Sequence, residues 1–251
     1  MRERMYHLDL QDDVKAKYAL LPGDPGRVPK ISAYLEKAKP VAKNREFHTW
    51  LGTLAGENVL VTSTGIGGAS AAITMEELAS IGVDTFIRIG TCGGMQLDVQ
   101  GGDTIIPTGA IRMEGTSREY LPIEFPAVPD YRIVCALADS AEAEHSTTHL
   151  GVVQSKDSFY GQHEPDRMPV GEELSARWRA WIKGGALGSE MECAALFTVA
   201  ASLHVHVGAV LTCIWNQERK TRGLRNPETH DSSLAIQIAV GAIRRLIEKN
   251  K

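Results

Sequence analysis

The sequence has no excess of positive charge. Its 251 residues carry 27 lysines and arginines against 31 aspartates and glutamates, a formal net charge of −4. A nucleic-acid-binding chain would be basic overall or strongly patched, so no nucleic-acid partner is expected. Redox and metal-site spacing is also missing. The four cysteines, Cys92, Cys135, Cys193 and Cys213, form no CxxC pair, and each lies in or beside an apolar run. That pattern reads as reduced, mostly buried thiols of a cytosolic protein. No apolar run approaches the ~20 residues that span a bilayer. The start, MRERMYHLDL, carries charge without the apolar segment of a secretory leader. These absences lead to the expectation of a cytoplasmic protein with no membrane contact. No repeat, low-complexity segment or linker interrupts the chain, so residues 1–251 are expected to form a single domain. At this length roughly 70% or more of the unfolded surface can be buried, and no staple is needed.

What is present is alternation. KYALLPG (17–23), NVLVTSTG (58–65), TFIRIG (85–90), DTIIPTGAI (103–111), HLGVVQS (149–155) and HVGAVLTCIW (206–215) are short, β-branched and bounded by glycine or proline. They are predicted strands. Residues 69–82, 131–144, 172–182, 190–203 and 231–249 show helical spacing. Strands alternating with helices imply an α/β fold with a largely parallel sheet covered on both faces. Residues 161–171 are expected to form an active-site loop, and residues 217–230 a mobile flap. In such sheets ligands bind at the carboxyl ends of strands, where loops supply free backbone N–H groups.

The polar and glycine-rich residues cluster at those exits. In LPGDPGRV (21–28), Gly23 permits close approach of a ligand, and Asp24 can cap a helix that begins at Pro25. A helix start attracts anions, and Arg27 adds a planar cation one turn in. The same segment read alone is also compatible with a plain tight turn. Arg88 interrupts an otherwise apolar strand and is followed by Gly90, Thr91, Gly93 and Gly94. A buried arginine needs an anion, either a structural carboxylate or a ligand phosphate. NREFHTW (44–50) supplies Arg45. STGIGGAS (63–70) resembles a nucleotide loop, but Ser70 stands where the last glycine of GxGxxG belongs.

Six segments, LPGDPGRV, NREFHTW, STGIGGAS, RIGTCGG, DSFYGQ and SEMECAAL, occur in this order across the chain. Together they resemble the nucleoside phosphorylase superfamily of hexameric type, and the uridine phosphorylase family within it. The resemblance implies a three-layer αβα sandwich around a central mixed, largely parallel sheet. It implies dimers assembled into a homohexamer with shared active sites. It implies reversible phosphorolysis, in which uridine and phosphate give uracil and ribose 1-phosphate. Phosphate is a co-substrate, and no metal or organic cofactor is required for the step.

Residue by residue, the resemblance implies that Arg88 holds the phosphate with Gly23, Arg27 and Thr91, and that Arg45 reaches it from the neighbouring subunit. Glu192 matches the ligand of the ribose hydroxyls, with Met191 packed beside it. Arg88 and Glu192 are the expected catalytic pair. Glu190 is two residues from Glu192, and such residues do not share a helix face. It is therefore either a second ribose ligand or an acid at a helix start. His7 matches a histidine that crosses the interface to the ribose 5′-hydroxyl.

For the base, Phe159 can stack on a flat ring, and the amide of Gln162 suits the N3–H and a carbonyl of uracil. Many family members carry an arginine two residues after this glutamine, and Glu164 stands there instead. Lys156, His163 and Arg167 are the candidate replacements, with Lys156 and His163 ranked above Arg167, which also reads as a solvated loop charge. Purine-cleaving relatives carry an aspartate near Ile214 and Trp215. An apolar pair lines a pyrimidine pocket but delivers no proton to a purine nitrogen. The family's monovalent cation at the dimer interface, a potassium ion, finds matching ligands in Glu46, the Ile66 carbonyl and Ser70.

Other readings are a purine nucleoside phosphorylase, a water-using nucleosidase, a Rossmann-type oxidoreductase and a non-catalytic nucleoside-binding protein. The Ile214–Trp215 pair disfavours the first. Arg27, Arg45 and Arg88 disfavour the second, which has no phosphate to hold. The broken glycine fingerprint disfavours the third. Retention of Arg27, Arg88, Thr91 and Glu192 disfavours the fourth.

Overall fold

The computed structural model describes residues 4–11 and 13–250. The charged start read as leaderless includes residues 1–3, which lie outside the described residues.

All six sequence-predicted strands form. They are β1 (Tyr18–Pro22), β4 (Glu57–Thr62), β5 (Thr85–Gly94), β6 (Thr104–Met113), β7 (Thr148–Lys156) and β9 (His206–Asn216). Three more were not anticipated: β2 (Glu36–Asn44), β3 (Phe47–Leu54) and β8 (Gly188–Glu190). All nine join one mixed sheet in the order β2-β3-β4-β1-β5-β8-β7-β6-β9. β1 runs parallel to β4 and β5, and β5 runs parallel to β9, so the carboxyl ends of these four strands share one edge. The extension of β5 past Gly90 also pairs antiparallel with β8, Gly93 opposite Ser189. Because β5 pairs with both β8 and β9, the strands β5-β8-β7-β6-β9 close into a ring. That closure brings the ends of β7 and β8 to the exit of β5.

Helices cover both faces, which gives the three layers. On one face α2 (Gly68–Ser80), α3 (Thr116–Tyr120) and α7 (Cys193–Leu203) enclose a cluster that includes Leu21, Met75, Phe86, Phe197 and Leu211. On the other, α1 (Val28–Ser32), α4 (Tyr131–Ala143) and α9 (Ser233–Lys249) enclose Leu20, Ile31, Ile87, Ile133 and Ile243. Alternate residues of β1 feed the two clusters, Leu20 one and Leu21 the other, as the period of a strand requires. Each side chain of this kind contributes about 1.5–3 kcal/mol by burial. α2 and α7 approach closely because Gly68 faces Ala195, where a Cβ would lie 2.9 Å from the alanine methyl. Near α2, φ at Gly67 is +92°, a conformation that glycine adopts without strain.

Three expectations need correction. The helix read over 190–203 begins at Cys193, because Glu190 belongs to β8. The segment 217–230 starts as a helix, α8 (Gln217–Thr221), capped by Asn216 Oδ1 on the Arg219 N–H. The loop read at 161–171 holds the end of α5 (Phe159–His163), a 3₁₀ turn at Pro165–Arg167 and the start of α6 (Gly171–Lys183). Among the described residues no helix is long and apolar enough to cross a membrane.

Candidate active site

The site is built at the exit of β5. Arg88 is only 4% exposed there. Its Nη2 forms an ion pair with Glu192 and lies 3.3 Å from Glu190 Oε2. Burial pulls the guanidinium pKa down, but Glu192 and Glu190 outweigh it and raise the value. Glycine at position 90 makes room for this side chain, since a Cβ would sit 2.8 Å from Arg88 Nη2 and 2.6 Å from Leu211 Cδ2. The structural-carboxylate partner weighed from the sequence is therefore present. Yet Arg88 Nε is buried without a hydrogen-bond partner among the described residues. A buried, unpaired donor on a cation is costly, and an oxyanion would satisfy it.

Arg27 joins Arg88 from the β1 exit. Asp24 accepts the Gly26 N–H at 2.8 Å, as the cap read from the sequence, and Pro25–Arg27 form a 3₁₀ turn that runs into α1. Arg27 Nη1 donates to the Ile89 carbonyl at 3.2 Å. Burial and then the charge of Arg88 lower its pKa. Gly23 packs against the Gly65 carbonyl beneath Arg27 Nη2. Thr91 is half-buried two residues past Ile89 on β5. Two converging cations and a glycine edge form an anion-shaped corner.

The carboxylates come from the β8–α7 junction. Glu192 Oε1 accepts the Gly67 N–H at 2.6 Å while Oε2 faces Arg88. Burial raises its pKa and Arg88 opposes that. Glu190 behaves as the acid at a helix start. Its oxygens accept the backbone N–H groups of Glu192 and Cys193 at 2.9–3.0 Å and the hydroxyl of Ser155. Met191 is half-buried between the two.

Past Glu190 lies a second polar cluster. Lys156, at the end of β7, is 4% exposed and its Nζ donates to Ser189 Oγ at 2.7 Å. Burial lowers its pKa to about 8 against the pull of Glu190 and Glu192. Ser189 Oγ also contacts Oε1 of both Gln154 and Gln162. Gln162 Nε2 donates to Gln217 Oε1 at 3.0 Å. Gln154, Lys156, Gln162 and Gln217 border a cavity of about 380 Å³ that Leu174, Trp178 and Trp181 also line. Phe159, His163 and Trp215 pack in a tilted series, with centroids 4.3 and 5.8 Å apart, and Lys220 lies 5.3 Å over the indole. Burial, then Lys156 and Lys220, lower the His163 pKa. Ile214 is half-buried beside Trp215. Arg167 is exposed and paired with Glu164 at 3.0 Å, three residues away, the arrangement of a solvated loop charge.

The structure thus brings together Gly23, Arg27, Arg88 and Glu192 at one end, and Lys156, Phe159, Gln162, His163 and Trp215 at the other. His7 is held elsewhere. Glu77 accepts its backbone N–H, its Nδ1 contact at 2.7 Å and the Leu8 N–H. Arg45 stands exposed at the tip of the β2–β3 hairpin with φ +50°. Among the described residues no ion pair or hydrogen bond joins either to Arg27, Arg88 or Glu192. Ser70 Oγ lies 3.1 Å from Glu46 Oε1, and Ile66 is exposed. These all-oxygen donors fit a hard monovalent cation.

Sequence reasoning missed Ser189, Gln154 and Glu77. The signal for Ser189 was its place in GSEMEC, directly before Glu190. For Gln154 it was a polar residue inside an apolar strand.

Residues 17–248 match the Phosphorylase superfamily. The chain is 50% identical to a uridine phosphorylase of Treponema pallidum over 245 residues, 98% of this chain and 95% of the relative. It is 41% identical over 250 residues to the uridine phosphorylases of Klebsiella aerogenes and of Escherichia coli, covering 97% of this chain and 98% of each relative.

Proposed function

The chain belongs to the phosphorylase superfamily, and from that premise we propose that it is an enzyme catalysing the reversible phosphorolysis of uridine to uracil and ribose 1-phosphate. The observation that carries the reading is the corner at β5. A buried arginine with an unpartnered Nε converges there with Arg27, next to a carboxylate fixed by Gly67 and Arg88. In this reading phosphate binds between Arg27, Arg88, Thr91 and the Gly23 backbone. Glu192 accepts the ribose 2′- and 3′-hydroxyls, and Met191 packs on the sugar. Glu190 acts by fixing the start of α7 and the guanidinium of Arg88.

Cleavage of the N-glycosidic bond builds positive charge on the ribose, as in glycoside hydrolysis. A phosphate dianion below the ring stabilises that charge and then attacks C1′. The protein positions the reactants and supplies charge, so arginines and backbone N–H groups suffice and no organic cofactor enters the step. Uracil stacks on Phe159 and meets Gln162, Lys156 and His163, with Ile214 and Trp215 lining the pocket. Arg167 has no part in it, its charge being answered by Glu164.

His7 and Arg45 are assigned to a neighbouring subunit's site, which requires an oligomer, a homohexamer of dimers. Glu46, the Ile66 carbonyl and Ser70 would hold a potassium ion at that interface and neutralise charge there. The whole chain acts as one domain, in the cytoplasm, in pyrimidine salvage.

The test is uracil release from uridine with and without phosphate, beside a parallel inosine assay. Phosphate-dependent uracil release with inosine inert is expected. Release without phosphate would mean a nucleosidase, and inosine cleavage alone a purine enzyme.

A further inference from the structure

Ser189 holds an arrangement that the reaction outlined above does not explain. Its hydroxyl is touched by three polar groups: the ammonium of Lys156 and the amide oxygens of Gln154 and Gln162. Lysine only donates, so it uses one lone pair of Oγ. The single hydroxyl hydrogen then serves two carbonyl oxygens. No other donor to Gln154 Oε1 or Gln162 Oε1 exists among the described residues. With both amide oxygens turned toward Ser189, the cluster is one hydrogen short. A ring that brings an N–H to Gln162 supplies it, and Ser189 is then committed to Gln154. The ammonium is similarly underused, with one hydrogen bond among the described residues where it has three donors. It borders the cavity shared with Gln162 and Gln217.

We propose that Lys156 and Ser189 form one device for the pyrimidine base. Lys156 donates to a base carbonyl and stabilises the departing base, and Ser189 positions both Lys156 and Gln162. The proposal rests on the uridine reading and deepens it. An imide edge, carbonyl–NH–carbonyl, fits the cluster on both counts. Its N–H meets Gln162 Oε1, and a flanking oxygen meets the ammonium. Cytosine fails, because its ring N3 carries no hydrogen.

During the step the C1′–N1 bond breaks and its electron pair goes to the base. A phosphate oxygen forms the new bond to C1′. The base leaves as an anion with charge spread onto its carbonyl oxygens, where a buried ammonium acts most strongly. The base takes its proton from water on release, so Lys156 stays charged throughout. Glu190 of β8, Glu192 before α7 and Cys92 of β5 raise its pKa, His163 of α5 is repelled by it, and Asp157 beside it, Arg179 of α6 and Glu218 of α8 line the same cavity. With its value lowered to about 8 by burial, the ammonium is lost as pH rises through that point.

The test compares wild type, Lys156→Met, Lys156→Arg and Ser189→Ala on uridine and on 5-fluorouridine, whose base is the better leaving group. Wild-type kcat on uridine should fall above about pH 8. Lys156→Met should lower kcat on uridine by ~10²-fold and on 5-fluorouridine by much less. Lys156→Arg should recover part of the rate and move the alkaline fall upward. Ser189→Ala should raise KM for uridine about tenfold, through Gln162, and lower kcat by less than Lys156→Met does, through the displaced ammonium. The proposal is overturned if folded Lys156→Met, checked by circular dichroism, slows both substrates equally and keeps the alkaline fall. A wild type inert toward uridine would sink the phosphorolysis reading alone. Calorimetric titration with uracil then decides this one: binding lost in Lys156→Met upholds it, and unchanged binding overturns it.

Discussion

Arg88 and Glu192, 104 positions apart in the chain, meet as a buried ion pair where β5 exits the sheet. The pair needs both partners. Each charge alone would be stranded in a poorly solvated place, and Glu190 beside them adds a second negative charge.

Arg88→Met should therefore destabilise the fold by about 3–5 kcal/mol, read by urea unfolding. The sign of its pH dependence follows from Glu192, whose carboxyl burial holds above its ordinary value while Arg88 opposes the rise. Without Arg88 the value climbs further. A carboxyl raised in the folded state keeps its contribution at low pH and loses it as pH rises through the folded value. The deficit should be larger at about pH 8 than at about pH 5. Equal deficits would show that Glu192 is not the group left exposed to the loss.

Lys156 has the opposite sign. Its pKa is depressed from 10.5 to about 8, first by burial, so the folded protein binds fewer protons than the unfolded chain across that window. Stability should rise with pH there, and the penalty is complete below it. Lys156→Met is expected to gain roughly 1–3 kcal/mol at neutral pH and to melt with a flatter alkaline rise. A lower melting temperature at neutral pH would contradict the burial penalty.

Gly90→Ala tests the space given to the guanidinium. The new methyl would press on Leu211 Cδ2 at 2.6 Å and Arg88 Nη2 at 2.8 Å. Overpacking of this kind costs roughly 1–3 kcal/mol. KM for phosphate should rise more than KM for uridine, which initial-rate kinetics with each substrate varied in turn would detect.

Glu77 anchors the segment that carries His7, accepting two backbone N–H groups and the imidazole contact. Glu77→Ala removes a charged acceptor, a change worth about 1.5–3 kcal/mol for such bonds. Amide hydrogen exchange at His7 and Leu8 should accelerate markedly while exchange in β5 stays slow. Unchanged protection at Leu8 would mean that the segment is held by other contacts.

Much of this molecule was legible in the sequence because local pattern and burial agree. The apolar runs of β1, β5 and β9 are buried on both faces, so continuous hydrophobicity marked them. Asp24, Pro25 and Arg27 announced their turn through capping chemistry that acts over three residues. Arg88 was conspicuous because a cation in a core strand demands an anion. β2 stayed hidden: EKAKPVAKN is an edge strand, rich in lysine and carrying Pro40, and edges have no burial period to reveal them. β8 has three residues, too few for any period, and forms only because β5 and β7 flank it. The sequence by itself determined the α/β architecture, the strand-end placement of the polar motifs and the identity of the charged groups. Only the tertiary structure decided which of them meet. Closing the sheet into a ring set Ser189 between Lys156 and Gln162, and it turned Glu190 onto the start of α7. Such pairings depend on contacts between residues far apart in the chain, and no local spacing encodes them.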